Sequence, residues 1–226
     1  MKTLKIAALA LVGMMAVAGA ANAQCYVGGM AGGSMANMGL SDATNALGLP
    51  GGSFGVDGLG ARSSRPDFGG TVGCDVNLGA SPLFVGLAAT IVSQDVSFDV
   101  NPGLLSASLG NSWGAALRGG YRFESGTKAF GKVGWTQTDL NIGGLLAPAL
   151  AGADIPSRLN GWTFGGGMET PLKGTPLVMG LEVDWTRYNS EAIAGGLVDL
   201  KTDQLKGMLT LKYVFGGSTV LPVPMK

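Results

Sequence analysis

The sequence predicts an all-β protein, an eight-stranded antiparallel transmembrane β-barrel with short periplasmic turns and long extracellular loops. Three observations lead to this fold class. The chain begins with an export signal, it contains segments of about ten residues in which apolar and polar side chains alternate, and its connectors alternate between short and long.

The composition argues against a transmembrane helix and against a nucleic-acid partner. The chain is 46% hydrophobic and 13% charged, and it has 40 glycines among 226 residues. No apolar run of about 18 residues follows the N-terminal segment, so no transmembrane helix is predicted. The 15 basic and 15 acidic residues give no net charge, which argues against a nucleic-acid partner. A secreted β-domain and a low-complexity surface protein are the alternatives for such a composition.

The N-terminal segment predicts export. Lys2 and Lys5 precede a short apolar core, and Ala21, Asn22 and Ala23 form a small-x-small cleavage site. Cleavage is expected between Ala23 and Gln24, and an uncleaved anchor is the alternative. The predicted organisation is a signal peptide over 1–23, an outer-membrane β-barrel over 24–216 and a C-terminal extension over 217–226.

Two-residue alternation predicts the strands. Leu181, Val183 and Trp185 fall on one face of an extended segment, whereas Glu182 and Asp184 fall on the other. A strand with one apolar and one polar face fits a barrel that has lipid outside and a polar interior. Eight such segments are predicted, near 25–36, 67–78, 83–94, 111–124, 128–139, 159–171, 177–189 and 204–216.

The connectors alternate in length. Tight turns rich in Gly, Pro and Ser are predicted at 79–82, 125–127 and 173–176. Long loops are predicted at 37–66, 95–110, 140–158 and 190–203. Short periplasmic turns and long outer loops are typical of outer-membrane barrels, so odd-numbered strands are expected to run outward.

Aromatic residues then indicate the two membrane interfaces, because amphipathic rings favour that boundary. The predicted outer girdle consists of Trp113, Trp135, Trp162 and Trp185. The predicted periplasmic girdle consists of Tyr121, Phe123, Tyr213 and Phe215.

Alternation along the strands predicts that ten charged side chains point into the barrel, five of each sign. An eight-stranded barrel has an interior just wide enough for side chains, so these charges are expected to pair rather than to line a pore. The predicted interior charge network consists of Asp75, Arg118, Arg122, Glu124, Lys132, Glu169, Glu182, Asp184, Lys206 and Lys212.

Four motifs carry a family resemblance: YVGG at 26–29, GWTFGGGMETPL at 161–172, LEVDWTRYNS at 181–190 and LTLKYVFG at 209–216. They resemble segments of the small eight-stranded outer-membrane barrels of the OmpA and OmpX type, also called porin-like or surface-antigen barrels. The resemblance implies outer-membrane lipids and lipopolysaccharide as partners in a Gram-negative outer membrane. It also implies recognition of the closing strand, through Phe215, by the outer-membrane assembly machinery.

Catalytic, cofactor and metal sites are not predicted. The chain has no histidine, so a serine nucleophile would lack its usual base. Glu182 and Asp184 are expected to pair with basic neighbours rather than to catalyse. Cys25 and Cys74 are exported, so they are candidates for a disulfide between the first two strands. Free thiols are the alternative, because Cα separation decides the matter.

The leading functional hypothesis is a structural or surface barrel that supports envelope integrity and contact with the environment. The alternative is a narrow porin or a conduit for small hydrophobic molecules, and an adhesin is a third class. The loop segment 143–153 is unusually apolar, which indicates either loops packed on one another or a contact for a small hydrophobic ligand or surface partner.

Overall fold

Residues 23–42, 59–62, 65–101, 105–143, 157–189, 191–193 and 198–216 are described by a computed structural model. Among these residues, no helix is long and apolar enough to cross a membrane. The strands are β1 Ala23–Asp42, β2 Leu59–Arg62, β3 Asp67–Asn77, β4 Leu83–Ser93, β5 Val96–Asn101, β6 Leu105–Arg122, β7 Lys128–Gly143, β8 Arg158–Pro171, β9 Leu177–Tyr188, β10 Glu191–Ile193 and β11 Val198–Phe215.

Eight long strands form a closed antiparallel barrel, which confirms the predicted fold class. Their order around the ring is β1, β3, β4, β6, β7, β8, β9 and β11, and β11 pairs again with β1. This closing seam contains 18 residue pairs, from Cys25 opposite Phe215 to Asp42 opposite Val198. Closure leaves none of the eight strands with an unpaired edge, as a lipid environment requires.

Three short strands extend the barrel at the end where the long connectors lie. β2 pairs with β1, β5 with β6, and β10 with β11. Parts of the segments predicted as long loops are therefore hairpin extensions of the wall. The sequence did not reveal them because strand pairing continues beyond the membrane, whereas the lipid that enforces alternation does not.

Tight turns join the strands at the opposite end. Gly79, Gly126 and Gly174 have φ angles of 63°, 84° and 76°, a left-handed conformation that glycine adopts without steric cost. These turns coincide with the predicted short connectors. The barrel therefore has a short-turn end, which is the periplasmic end, and a long-connector end, which is the extracellular end.

The strand faces are sorted as alternation predicts. In β11, Leu209 and Leu211 are exposed on the outer face, whereas Met208, Thr210 and Lys212 are buried. Residues 1–22 and 217–226 lie outside the described residues, so the signal peptide and the C-terminal extension remain predictions. Ala23 and Gln24, which flank the predicted cleavage site, begin β1.

Candidate functional site

An unbroken chain of ionised side chains crosses the barrel interior, and we call it the ion-pair chain. Charges alternate in sign along it, so four cations match four anions. Its members come from β3, β6, β7, β8, β9 and β11. In order, they are Lys128, Asp75, Arg118, Glu169, Lys212, Glu182, Lys132 and Asp184.

The first half of the chain is organised by Arg118. Its guanidinium donates to Glu169 at 2.8 Å and to the hydroxyl of Tyr26 at 2.8 Å, and it lies 3.3 Å from a carboxylate oxygen of Asp75. Lys128 donates to the other oxygen of Asp75 at 2.7 Å. The planar fork of arginine allows these several acceptors to be held at once.

The second half of the chain is organised by two lysines. Lys212 donates to Glu169 at 2.6 Å and to Glu182 at 2.7 Å. Lys132 lies 2.7 Å from Glu182 and 2.9 Å from Asp184. Each inner carboxylate therefore contacts two cations, a geometry that offsets part of the cost of removing charges from water.

Aromatic rings pack against the cations. The guanidinium carbon of Arg118 lies 4.0 Å from the ring centre of Phe130, and Lys212 Nζ lies 4.7 Å from that of Tyr26. Lys128 Nζ lies 5.0 Å from the ring of Phe84. Desolvated cation–π contacts of this kind are worth about 2 kcal/mol or more each. Together with Tyr26 of β1 and Phe84 of β4, the ion-pair chain contacts all eight barrel strands.

Sequence parity placed ten charges inside, and the structure brings seven of them into the ion-pair chain. Arg122 instead donates to Gln24 at 2.7 Å, and Lys206 donates to Ser112 at 3.0 Å. Glu124 requires a correction, because it is exposed in the turn that follows β6. The strand ends at Arg122, so parity no longer fixes the direction of the Glu124 side chain.

Sequence reasoning missed Lys128 and the inward aromatic residues. Lys128 is the first residue of β7, and its parity with Lys132 was the available signal. Phe130 looked like an irregularity among polar positions, but it lies inside the barrel against Arg118. An inward aromatic ring among inward cations is the expected partner for a desolvated charge.

Glycine makes room for the buried carboxylates. A Cβ atom added to Gly86 would collide with an oxygen of Asp75, and one added to Gly165 would collide with an oxygen of Asp184. In contrast, a Cβ added to the outward Gly33 would meet nothing within 4 Å. The inward glycines therefore let charged side chains lie flat across a neighbouring strand.

A polar layer and a small cavity lie on the extracellular side of the ion-pair chain. Thr163 forms hydrogen bonds with Thr136 at 2.6 Å and with Thr186 at 2.8 Å, which joins three strands. The cavity, lined in part by Lys132 and Lys206, has a volume of about 30 Å³. This space is enough for about two or three water molecules.

Cys25 and Cys74 form a disulfide with an S–S distance of 2.10 Å. The two residues lie directly opposite each other on β1 and β3. In β1, Cys25 lies two residues from the outward Val27, and in β3, Cys74 lies six residues from the outward Phe68. Both cysteines therefore lie on the outer face of the barrel, near its periplasmic end. Both cysteines are nevertheless buried by their neighbours.

All four tryptophans lie on the outer face of four consecutive strands, β6 to β9. Trp113 and Trp135 make an edge-to-face contact with centroids 5.0 Å apart, and Trp135 is the register partner of Trp162. Trp185 packs beside Phe164, with centroids 6.2 Å apart. The tryptophans therefore cover one side of the barrel rather than its whole circumference.

At the periplasmic end, the predicted girdle residues also face outward. Tyr121 and Phe123 make an edge-to-face contact at 5.1 Å. Tyr213 and Phe215 lie near the end of β11, and all four side chains are between 44% and 49% exposed. The two aromatic groups are separated by an apolar wall that includes Leu209, as expected for a membrane-spanning barrel.

The sequence matches the model of a known protein family. The model of the outer membrane protein beta-barrel domain matches residues 5–221 of the chain. The chain belongs to this outer-membrane β-barrel family. The outer membrane is therefore its location, and its lipids are its surroundings. Among curated proteins, the sequence comparison finds no match.

Solved structures of outer-membrane proteins resemble the barrel. The outer membrane protease OmpT from Escherichia coli aligns with a TM-score of 0.50 and 10% identity, covering 85% of this chain and 97% of that one. OprG from Pseudomonas aeruginosa aligns with a TM-score of 0.49 and 16% identity, covering 88% and 99%. Neisserial surface protein A aligns with a TM-score of 0.40 and 11% identity, covering 83% and 96%. At these identities the likeness concerns the fold alone.

The chemistry available to the interior is that of paired charges. Glu182 and Asp184, the carboxylates nearest in sequence, both contact Lys132. Among the described residues, no group of three or more His, Cys, Asp or Glu side chains is placed to hold a metal ion. The arrangement is thus suited to cross-linking strands through the barrel interior.

Proposed function

We propose that this outer-membrane barrel is a structural and surface protein that supports envelope integrity and contact with the environment. One observation carries the proposal: the ion-pair chain, with its aromatic rings, spans the interior and contacts all eight barrel strands. A solute that crosses the barrel must displace buried charges from their partners, which costs several kcal/mol for each broken pair.

The same contacts make the barrel a stiff cylinder. Arg118 links β6 to β3 and β8, and Lys212 links β11 to β8 and β9. Such cross-links oppose flattening of a small barrel by lateral pressure in the membrane. A closed, stiff barrel suits a role in which the outer surface and the loops carry the contacts.

Single-channel conductance of the purified, folded barrel in planar bilayers tests this proposal. We expect no stable channels from the parent protein. The double variant Glu169→Ala and Lys212→Ala removes two central members of the chain, and we expect it to conduct. The control variant Glu124→Gln alters an exposed carboxylate in a turn and should remain closed.

Heat-modifiable gel mobility establishes that each protein in this experiment is folded. Stable channels in the folded parent would overturn the structural role. Absence of channels in a folded double variant would show that another part of the barrel closes it, which also contradicts the proposal.

A conduit for small hydrophobic molecules is the second candidate, and one observation favours it. Met30, Val92 and Met208 form a buried apolar cluster that lines the interior cavity. Uptake of a small aromatic probe into protein-containing liposomes separates the two candidates. Uptake above that of protein-free liposomes, lost on Met208→Lys, would favour the conduit.

We propose that the barrel is not an enzyme. One structurally similar protein is named as a protease, but it shares only the fold. The chain has no histidine. Lys132 forms ion pairs with both Glu182 and Asp184. Hydrolysis of a broad peptide library by purified protein, abolished by Glu182→Gln, would refute this.

A further inference from the structure

The outer face of β6, β7 and β8 changes from apolar to polar in successive rows of register partners. The change takes place over three rows, which places the upper membrane boundary on this side of the barrel. Rising towards the extracellular end, the rows are Leu117, Val133 and Phe164; then Ala115, Trp135 and Trp162; then Trp113, Gln137 and Asn160.

The third row is tied together across three strands. Trp113 Nε1 donates to Gln137 Oε1 at 3.0 Å, and Gln137 Nε2 donates to Asn160 Oδ1 at 2.8 Å. This outward polar chain needs a surrounding that is no longer hydrocarbon, because buried amide groups in lipid are costly. It also holds a tryptophan ring at a fixed orientation at the boundary.

A β-bulge lies directly above this row. The register passes from Leu109 opposite Leu140 to Ser112 opposite Thr138. Gly110 and Asn111 therefore both face Asp139, so two residues of β6 oppose one of β7. Bulges redirect side chains and are enriched near functional sites.

The bulge opens an outward cleft of about 350 Å³. Its polar lining combines the exposed amides of Asn111 and Asn141 with an ion pair, in which Arg158 Nε lies 3.3 Å from Asp139 Oδ1. Both ion-pair side chains are about half exposed. The cleft therefore presents amide, carboxylate and guanidinium groups side by side, without a net charge.

We propose that this cleft binds a sugar ring of the lipopolysaccharide headgroup. Planar amides and a carboxylate beside a guanidinium match the alternating donors and acceptors of sugar hydroxyls. Because the charges of the ion pair cancel, the cleft suits a ligand rich in hydroxyl groups better than it suits an anionic ligand without them. The cleft opens on the lateral face just above the tryptophan rows, which is where the headgroups of the outer leaflet lie.

The one-sided distribution of tryptophan supports the assignment. Trp113, Trp135 and Trp162 flank the cleft from below, whereas β11, β1, β3 and β4 carry no tryptophan among their described residues. Aromatic faces pack against the apolar faces of sugars and acyl chains. The inference depends on the membrane location and not on whether the barrel conducts.

Native mass spectrometry of the detergent-solubilised full chain with deep-rough lipopolysaccharide tests the proposal. We expect one lipopolysaccharide to bind per barrel, and binding to weaken at least tenfold in the double variant Asn111→Ala and Asn141→Ala. The matched control is Asn37→Ala with Asn189→Ala, which removes two exposed amides, one from β1 and one from the residue that follows β9. It should bind like the parent.

Equal weakening in both variants, or none in the first, would overturn the proposal. Phosphatidic acid, an anionic lipid whose headgroup is a phosphate without a hydroxyl-bearing carbon, is the second probe. If the cleft variant lost phosphatidic acid to the same degree, the cleft would recognise a lipid phosphate, and the sugar assignment would be refuted. Unchanged heat-modifiable mobility in both variants establishes that the comparison is between folded barrels.

Discussion

Glu169 lies at the middle of the ion-pair chain, and replacing it with glutamine perturbs the barrel interior with minimal change in shape. Its side chain is 3% exposed, and one oxygen accepts from Arg118 at 2.8 Å and from Lys212 at 2.6 Å. Hydrogen bonds to a charged acceptor contribute about 1.5–3 kcal/mol, against about 0.5–1.5 kcal/mol for neutral ones. The two weakened contacts therefore sum to about 2–3 kcal/mol.

The positive charge left unbalanced by this change leads to a similar magnitude. Removing one partner of a buried ion pair costs about 3–5 kcal/mol in soluble proteins. Because Arg118 keeps Asp75 and Lys212 keeps Glu182, we expect a value near the lower end. Glu169→Gln should lower the free energy of unfolding by about 3 kcal/mol.

Urea unfolding of the barrel in lipid vesicles, followed by tryptophan fluorescence, measures this change. Asp139→Asn is the matched control, because it alters the exposed Asp139–Arg158 pair in the same chemical way. Exposed pairs contribute about 0–1 kcal/mol. If Glu169→Gln cost no more than the control, the ion-pair chain would not stabilise the barrel. A Lys212→Met change added to Glu169→Gln restores charge balance, so the double variant should lose less than the sum of the two single losses.

Three further outcomes follow from the wall of the barrel. Gly165→Ala should destabilise the barrel by at least about 1 kcal/mol, because its Cβ would collide with a buried carboxylate, whereas Gly33→Ala should leave urea unfolding almost unchanged. Cys25→Ser should lower stability by about 2–4 kcal/mol, and peptide mapping of the non-reduced parent should recover Cys25 linked to Cys74; free thiols in the folded parent would contradict this. Leu209→Arg, on the lipid face, should cost about 2–4 kcal/mol in vesicle-folded protein, and a cost near zero would mean that this face is not in lipid.

The sequence was informative wherever lipid imposes a rule. In a strand that crosses the membrane, every second side chain faces lipid and must be apolar. This alternation therefore revealed the eight strands and most of the inward charges. The same rule ends at the membrane boundary. β2, β5 and β10 escaped prediction because strands above the boundary pair in water, where both faces tolerate polar side chains.

The sequence predicts which charged side chains point inward better than it predicts which of them form ion pairs. Parity shows that Arg118 points inward, but its partners depend on the stagger of strands far apart in the sequence. Asp75 and Glu169 reach Arg118 from β3 and β8, and no local pattern reports such a register. The Cys25–Cys74 pairing has the same origin, since its register is set across a long connector.

The end of a regular strand also limits sequence reasoning. Glu124 was assigned inward because alternation was extended two residues too far, into a turn. The bulge at Gly110 and Asn111 is a similar case, because an inserted residue reverses the parity of everything beyond it. The cleft that it opens could therefore not be read from a strict two-residue period.

The position of Lys212 on β11 couples neutralisation of the interior to closure of the barrel. β11 is the last strand among the described residues, and its seam with β1 joins 18 residue pairs. Lys212 lies opposite Gly28 in that seam, and it also bridges Glu169 of β8 and Glu182 of β9. Without β11, these two carboxylates would lack their shared counterion. The strand that closes the cylinder therefore also completes the neutralisation of the interior, so electrostatic attraction favours its retention in the sheet.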